Sequence, residues 1–303
     1  MSHAQVLTAF GGPEVLQWNE VEPPQPKAGE IRIRVRAAGV GPTDLAIRRG
    51  DLAHVFPVGP GSILGFEVAG EVDAIGAGVH GLAIGAPVAA QLFGPRLGGY
   101  AEYALATSWS VMPDNISWSD AAGVPASAEA ALGTLRQLKV TEGDTVLILG
   151  GGGAVGLLGV QFARRFGAHV VAAVGDSDHD LVAGLGATPI RYGEGVIDRA
   201  RAVGHIDAVL DAAGKGGLIE AVELLGGTSR VITLSDPSAH SIGVRLSSPT
   251  PDRAPDAVGL ALELLAKGEL SLRDHLDVPF DRAADAHRML ESGHGHQKLI
   301  LRA

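Results

Sequence analysis

The stretch Val146-Leu147-Ile148-Leu149-Gly150-Gly151-Gly152-Gly153-Ala154-Val155-Gly156 decides how this chain is read. Val146–Leu149 has the apolar run of a short buried strand, the glycines form a turn, and Ala154 opens a helix. Gly151, Gly153 and Gly156 fit G-x-G-x-x-G. In that pattern missing side chains let the backbone approach a pyrophosphate, and the helix N–H groups of Ala154 and Val155 face it. A chain with 43 glycines will produce such spacings by chance, so the weight lies on context. An apolar strand precedes the turn, a helix is expected over 154–166, and a second strand over 169–174 stands at βαβ distance. Tight helix–strand packing would use the same glycines, and stays open as the structural reading.

Working outward, strands and helices alternate from about Thr141. Strand 145–149 leads to helix 154–166, strand 169–174 to helix 177–185, strand 206–210 to helix 215–225, and strand 230–234 follows. Such alternation predicts a parallel sheet covered on both faces, an α/β unit of doubly wound, Rossmann type. Upstream, residues 1–120 read as β-rich. Over 31–37 the residues Ile, Arg, Ile, Arg, Val, Arg and Ala alternate with period two. Strands over 68–75 and 86–91 are separated by glycine turns at Gly76, Gly78, Gly81 and Gly85. A helix over 254–267 precedes a last segment, 276–303, whose strand-like end at 298–301 is expected to pair back with the first domain.

The 303 residues suffice for two cores, and 46% apolar with 19% charged residues describes a soluble globular chain. A formal charge of −10 argues against a nucleic-acid partner. No run approaches a membrane span and no basic-then-apolar leader opens the sequence, so a cytoplasmic protein without a membrane partner is expected. Zero cysteines exclude disulfides and thiolate metal sites.

Further motifs are collinear with the glycine turn: Gly39-Val40-Gly41-Pro42-Thr43-Asp44 with Ile47-Arg48-Arg49-Gly50, Gly61-Ser62-Ile63-Leu64-Gly65-Phe66-Glu67-Val68-Ala69-Gly70, and Gly98-Gly99-Tyr100-Ala101-Glu102-Tyr103. Near the end come Ala286-His287-Arg288-Met289-Leu290-Glu291-Ser292-Gly293-His294 and Lys298-Leu299-Ile300-Leu301. With these the chain resembles the medium-chain dehydrogenase/reductase superfamily almost end to end, and within it the zinc-free quinone oxidoreductase (zeta-crystallin-like) branch. The resemblance implies a GroES-like catalytic domain from residues 1–122 and 270–303 around a Rossmann domain at 123–269.

Metal-dependent members of that superfamily carry a cysteine where Gly41 stands and a histidine where Phe66 stands. Neither residue here ligates zinc, so no metal site is expected; His294 and His296 read as a solvated pair in a polar loop. Alcohol oxidation needs something to hold the developing alkoxide, commonly a Lewis acid. Without one, the easier reaction adds hydride to an already electrophilic carbon, a quinone or the β-carbon of an α,β-unsaturated carbonyl. The oxygen then needs only hydrogen-bond donors and a proton. The expectation is a zinc-independent NAD(P)H-dependent reductase of a small-molecule substrate.

The resemblance also implies site residues. Thr43 and Asp44 line the nicotinamide pocket as the candidate catalytic residues, although Asp44 is also placed to cap the helical turn it starts. Gly151, Gly153, Ala154, Val155 and Gly156 cradle the phosphates. Tyr192 faces the adenosine phosphate side, Ala212 leaves room for the adenosine, and Leu234 with Ser235 flanks the nicotinamide. Relatives often have Asn at Gly41, tyrosine at Ala46 and threonine at Ala130; small residues here imply a roomier, more apolar pocket with no obvious general acid. Relatives that prefer NADPH grip its 2′-phosphate with a serine and a basic residue where Val174 and Asp178 stand. A charge pair at roughly 4 Å in water is worth about 1 kcal/mol, so Asp176, Asp178 and Asp180 near a dianion weigh against it. Asp176 is instead suited to the ribose hydroxyls of NADH. Ser177 and Arg191 remain able to bind a phosphate from the side. The branch favours NADPH and the local charge favours NADH; NADPH is kept. A homodimer through the sheet edge near 230–246 is expected. Two readings of another class stay open: a coenzyme-binding sensor or structural member with little turnover, and a tailoring enzyme with a narrow apolar substrate.

Overall fold

Ile31, Ile33 and Val35 are at most 2% exposed, while the arginines between them face outward. That alternation builds strand Ile31–Val40 of a computed structural model that describes residues 1–53, 55–93, 98–248, 250, 253–293 and 297–303. The arginine face is paired, not merely solvated. Arg32 meets Asp73 at 2.6 Å and lies over the Tyr103 ring, and Arg36 meets Glu71 at 2.8 Å. The strand sits inside a seven-stranded sheet. In spatial order this runs His275–Pro279, Lys298–Arg302, Ile31–Val40, Glu67–Ile75, Pro87–Gln91 and Trp109–Val111, with Tyr103–Ala106 also on Ile31–Val40. Strand Lys298–Arg302 thus returns to pair antiparallel with 37–40, as the sequence implied. A hairpin of Ser2–Leu7 and Leu16–Val21 joins this unit; its buried Gln5 donates to the Phe280 carbonyl at 2.8 Å.

The second unit holds six parallel strands in the order Thr188–Arg191, His169–Val174, Thr145–Leu149, Ala208–Asp211, Val231–Thr233 and Arg245–Leu246. In chain order this is 3-2-1-4-5-6, the doubly wound Rossmann arrangement. Val146–Leu149 are fully buried, as a strand covered on both faces requires. Pro189 lies on the outermost strand, where its missing N–H is not needed.

The compact units are 1–126 with 255–303, and 127–254. Helix Ala257–Ala266 therefore belongs to the β-rich unit, whereas the expected boundaries put it in the dinucleotide-binding one. Two expected helices also start differently. The one over 215–225 begins at Leu218, because Gly216 and Gly217 take φ of 96° and 88°, outside the helical region. The one over 177–185 is a 3-10 turn, Asp176–Asp178, followed by helix His179–Gly184.

Within the second unit, Glu129 on helix Pro125–Gln137 holds Arg253 through both carboxylate oxygens, with Nε at 2.6 Å from Oε1, at 3% and 2% exposure. Gly133 leaves the space for it, since a Cβ there would lie 2.6 Å from Arg253 Cγ. Removing one member of a buried pair strands the other charge. Glu129→Ala is therefore expected to lower unfolding stability by about 3–5 kcal/mol in a urea titration. An unchanged midpoint would show that the pair is not structural.

Candidate functional site

A parallel sheet releases every strand at one edge, and ligands of such sheets bind where successive crossovers part to opposite sides. Here that point lies between Thr145–Leu149 and Ala208–Asp211, and the glycine turn leaves the first of these. The amides of Gly150 and Gly151 both donate to the Ala173 carbonyl, at 3.1 and 3.0 Å, and Gly150 takes φ of 80°. A Cβ on Gly151 would lie 2.9 Å from that of Ala172, and one on Gly156 would lie 2.1 Å from the Gly150 oxygen. Gly156 lets helix Ala154–Arg165 close on the turn, and Gly151 lets the turn lie against strand His169–Val174. Gly153 differs: it is exposed and is the N-cap, with no side chain to cap the helix. The half-exposed first-turn residues Ala154 and Val155 thus present amides to an outside anion. The cradle fits the diphosphate of a nicotinamide dinucleotide.

On its adenosine side the charge is mixed. Asp176 and Ser177 are exposed in the turn after His169–Val174, and Arg191 approaches Asp176 at 3.8 Å. Asp178 lies over the glycine turn, so that a Cβ on Gly152 would sit 2.2 Å from its Oδ2. Tyr192, half-buried after the outermost strand, lines a cavity of about 450 Å³ together with Glu194, Arg201, Lys215 and Glu220. Burial, and then the carboxylates of Asp211 and Asp236, push its phenol above the ordinary range. Ala212 stands on the loop after Ala208–Asp211, and Leu234 and Ser235 on the loop after Val231–Thr233. All the coenzyme candidates therefore fall on one sheet edge.

The β-rich unit holds Thr43 and Asp44 on helix Pro42–Arg49. Thr43 is exposed in its first turn. Asp44 is 3% exposed; its Oδ2 accepts from the Gly41 amide at 3.0 Å and its Oδ1 from the Gly65 amide at 3.1 Å. It caps its helix and ties it to the next motif. Burial pushes its carboxyl up to about 7; the Gly41 amide and Lys298 oppose this and Glu67 adds to it. Ala46 is half-buried, and Gly41 and Phe66 supply no ligand atom. Among the described residues no group of three or more His, Cys, Asp or Glu is arranged to hold a metal. His294 and His296 lie outside the described residues.

Lys298, Glu67, Arg48, His287 and Tyr100 make buried contacts with one another and their neighbours. Lys298 pairs at 2.6 Å with Glu67, which is 3% exposed. Arg48 is 1% exposed and bound to the Gly11 carbonyl and Glu291. Its Nη1 also meets His287 Nδ1 at 3.4 Å, and His287 Nε2 meets the Tyr100 hydroxyl at 3.2 Å. Arginine only donates, so Nδ1 accepts and the ring proton sits on Nε2, directed at Tyr100. The Tyr100 proton is left for the Asp44 carboxylate. Burial, with Arg48 beside it, pushes His287 down to about 3 and keeps it neutral. The motif spacing placed all of these residues but carried no sign of the chain they form.

A profile of the alcohol dehydrogenase GroES-like domain matches residues 27–116. The quinone oxidoreductase of Sus scrofa is 33% identical over 71% of this chain and 64% of its own length. Among solved structures, the quinone oxidoreductase of Coxiella burnetii superposes with a TM-score of 0.86, 26% identity and coverage of 100% and 99% of the two chains. A mycobacterial protein solved with NADPH gives 0.83 and 26%, covering both chains fully.

Gly156→Ala drives a methyl into the Gly150 carbonyl and is expected to weaken NADPH binding by about tenfold or more in a fluorescence titration, because helix and turn part. Unchanged affinity would remove the turn from the coenzyme site. Asp44 predicts a pH dependence. Its folded value of about 7 lies above the ordinary 3.8, so folding favours the protonated form. The stabilisation is complete below the unfolded value and lost as pH rises through the folded one. From about pH 5 to about pH 8, wild type should lose urea resistance relative to Asp44→Asn; a constant difference would overturn this.

Proposed function

The chain belongs to the quinone oxidoreductase branch of the medium-chain dehydrogenase/reductase superfamily, and we propose that it is a zinc-independent NADPH-dependent reductase of quinones or α,β-unsaturated carbonyls. One observation carries the reading: the glycine turn opens at the switch point of a 3-2-1-4-5-6 sheet, with uncapped helix amides behind it. The reduced nicotinamide, when bound, supplies a hydride. The amides of Ala154 and Val155 hold the diphosphate, Gly156 keeps the helix close to the turn, and Gly151 keeps the turn against strand His169–Val174. The loop bearing Ala212 leaves room for the adenosine, and the loop bearing Leu234 and Ser235 shapes the site for the ring.

The donor set supports an acceptor that needs no Lewis acid, since Gly41 and Phe66 offer no ligand and the chain has no cysteine. A quinone takes the hydride and one proton from solvent to give the hydroquinone; an enone takes the hydride at its β-carbon and a proton from solvent at its α-carbon to give the saturated carbonyl. Thr43, exposed, is the proposed hydrogen-bond donor to the oxygen that gains charge. Asp44 is proposed to act through the Gly41 amide. NADH is a second reading, favoured by Asp178 against Gly152 and by exposed Asp176. The same proposal places the protein in the cytoplasm as a homodimer joined through outer strand Arg245–Leu246, where Leu246 is 50% exposed. No helix among the described residues is long and apolar enough to cross a membrane.

Purified protein mixed with NADPH or NADH and a panel of quinones and enones should bleach the reduced nicotinamide band, with a rate unaffected by a metal chelator. A requirement for added zinc, or no oxidation with any acceptor, would overturn the proposal.

A further inference from the structure

Two fully buried polar side chains end neighbouring parallel strands of the dinucleotide-binding unit, and the register sets Asp211 beside Thr233. Thr233 Oγ1 donates to Asp211 Oδ2 at 2.7 Å. Asp211 Oδ1 accepts from the amides of Ala213 and Gly214 at 3.0 and 2.9 Å. Thr233 Oγ1 accepts from those of Ser235 and Asp236 at 3.2 and 3.0 Å. One hydroxyl–carboxylate pair therefore holds four backbone N–H groups, two from each loop. The loops touch: a Cβ on Gly214 would lie 2.3 Å from Ser235 Oγ. The Ala212 amide, donating to the Leu149 carbonyl at 3.0 Å, ties the first loop to the strand that feeds the glycine turn.

A buried carboxylate is an expensive way to close two loops, since well-packed apolar side chains often serve stability as well or better. What it adds is direction, because each amide must point at a fixed oxygen. We infer that Asp211 and Thr233 are positioning residues that fix the two loops against each other and thereby set the angle at which the nicotinamide ring is held for hydride transfer. Neither touches the coenzyme. The inference rests on the proposed coenzyme reading, and concerns the ring end of the site, whereas the diphosphate is held by 150–156.

Binding and turnover should therefore separate. Thr233→Val keeps the shape and removes the hydroxyl; it is expected to leave the NADPH Kd within about threefold while lowering kcat about tenfold or more, since a misplacement of about 1 Å at the reacting atoms can cost about a hundredfold. Thr233→Ser restores the hydroxyl and should restore kcat. Amide hydrogen exchange of Ala213, Gly214, Ser235 and Asp236, measured without coenzyme, should quicken in Thr233→Val and return to wild-type rates in Thr233→Ser. Unchanged kcat in Thr233→Val, an equal loss of affinity and kcat, or no rescue by serine would overturn the inference. If Thr233→Val does not fold, Asp211→Asn carries the same comparison. Should wild type bind neither NADPH nor NADH, the coenzyme reading falls and the positioning role with it; the exchange rates then still report whether the pair holds the loops.

Discussion

Strand direction is the constraint on which the candidate coenzyme site depends. Six parallel strands deliver their following loops to one edge, so residues as far apart as Gly151, Asp176, Tyr192, Ala212 and Leu234 arrive together without any long-range recognition between them. The arrangement works only if the turn packs closely on both sides: Gly156 lets the first helix approach it, and Gly151 lets it lie against strand His169–Val174. A side chain at Gly156 would push the helix off the turn, one at Gly151 would push the turn off the neighbouring strand, and either would disturb the aim of the amides at the helix start. The packing these glycines permit is also what the proposed phosphate cradle needs, so the two readings of the glycine pattern describe one piece of geometry.

The β-rich unit uses buried polarity for a different end. Lys298 and Glu67 neutralise one another between strand 298–302 and strand 67–75, and Arg48 anchors helix Pro42–Arg49 to the Gly11 carbonyl and to Glu291. Because arginine has no acceptor, the orientation of each group from Arg48 through His287 and Tyr100 to Asp44 follows from its neighbour. A chain with a single satisfied arrangement resists rearrangement, which is what a helix presenting Thr43 requires. Direct proton exchange between Asp44 and solvent is impeded by the same burial.

Much of this was legible in the sequence where the physics is local. Strands Thr145–Leu149 and His169–Val174 match the expected spans residue for residue, because an apolar run bounded by charge and glycine has few other uses. Helix Pro125–Gln137 escaped: its first half is alanine, serine and one glutamate, without an apolar stripe to count. Strand Ser2–Leu7 hides its period because Gln5 is buried to reach Phe280. Strand Thr188–Arg191 contains a proline, tolerated only because it is outermost. In the site, the glycine positions could be read from spacing. The Asp211–Thr233 and Lys298–Glu67 pairs could not, since a hydrogen bond between residues 22 or more apart leaves no trace in either local pattern.

The place of strand Lys298–Arg302 bears on how the protein reaches this state. It lies between His275–Pro279 and Ile31–Val40, an interior position filled by residues synthesised after all of 127–254. On the ribosome, the nucleotide-binding half has its six strands in hand while the earlier sheet still has an open seam along 37–40. Vectorial synthesis thus imposes an order of assembly that the finished architecture conceals, with an exposed edge waiting on the last segment of this sequence to emerge.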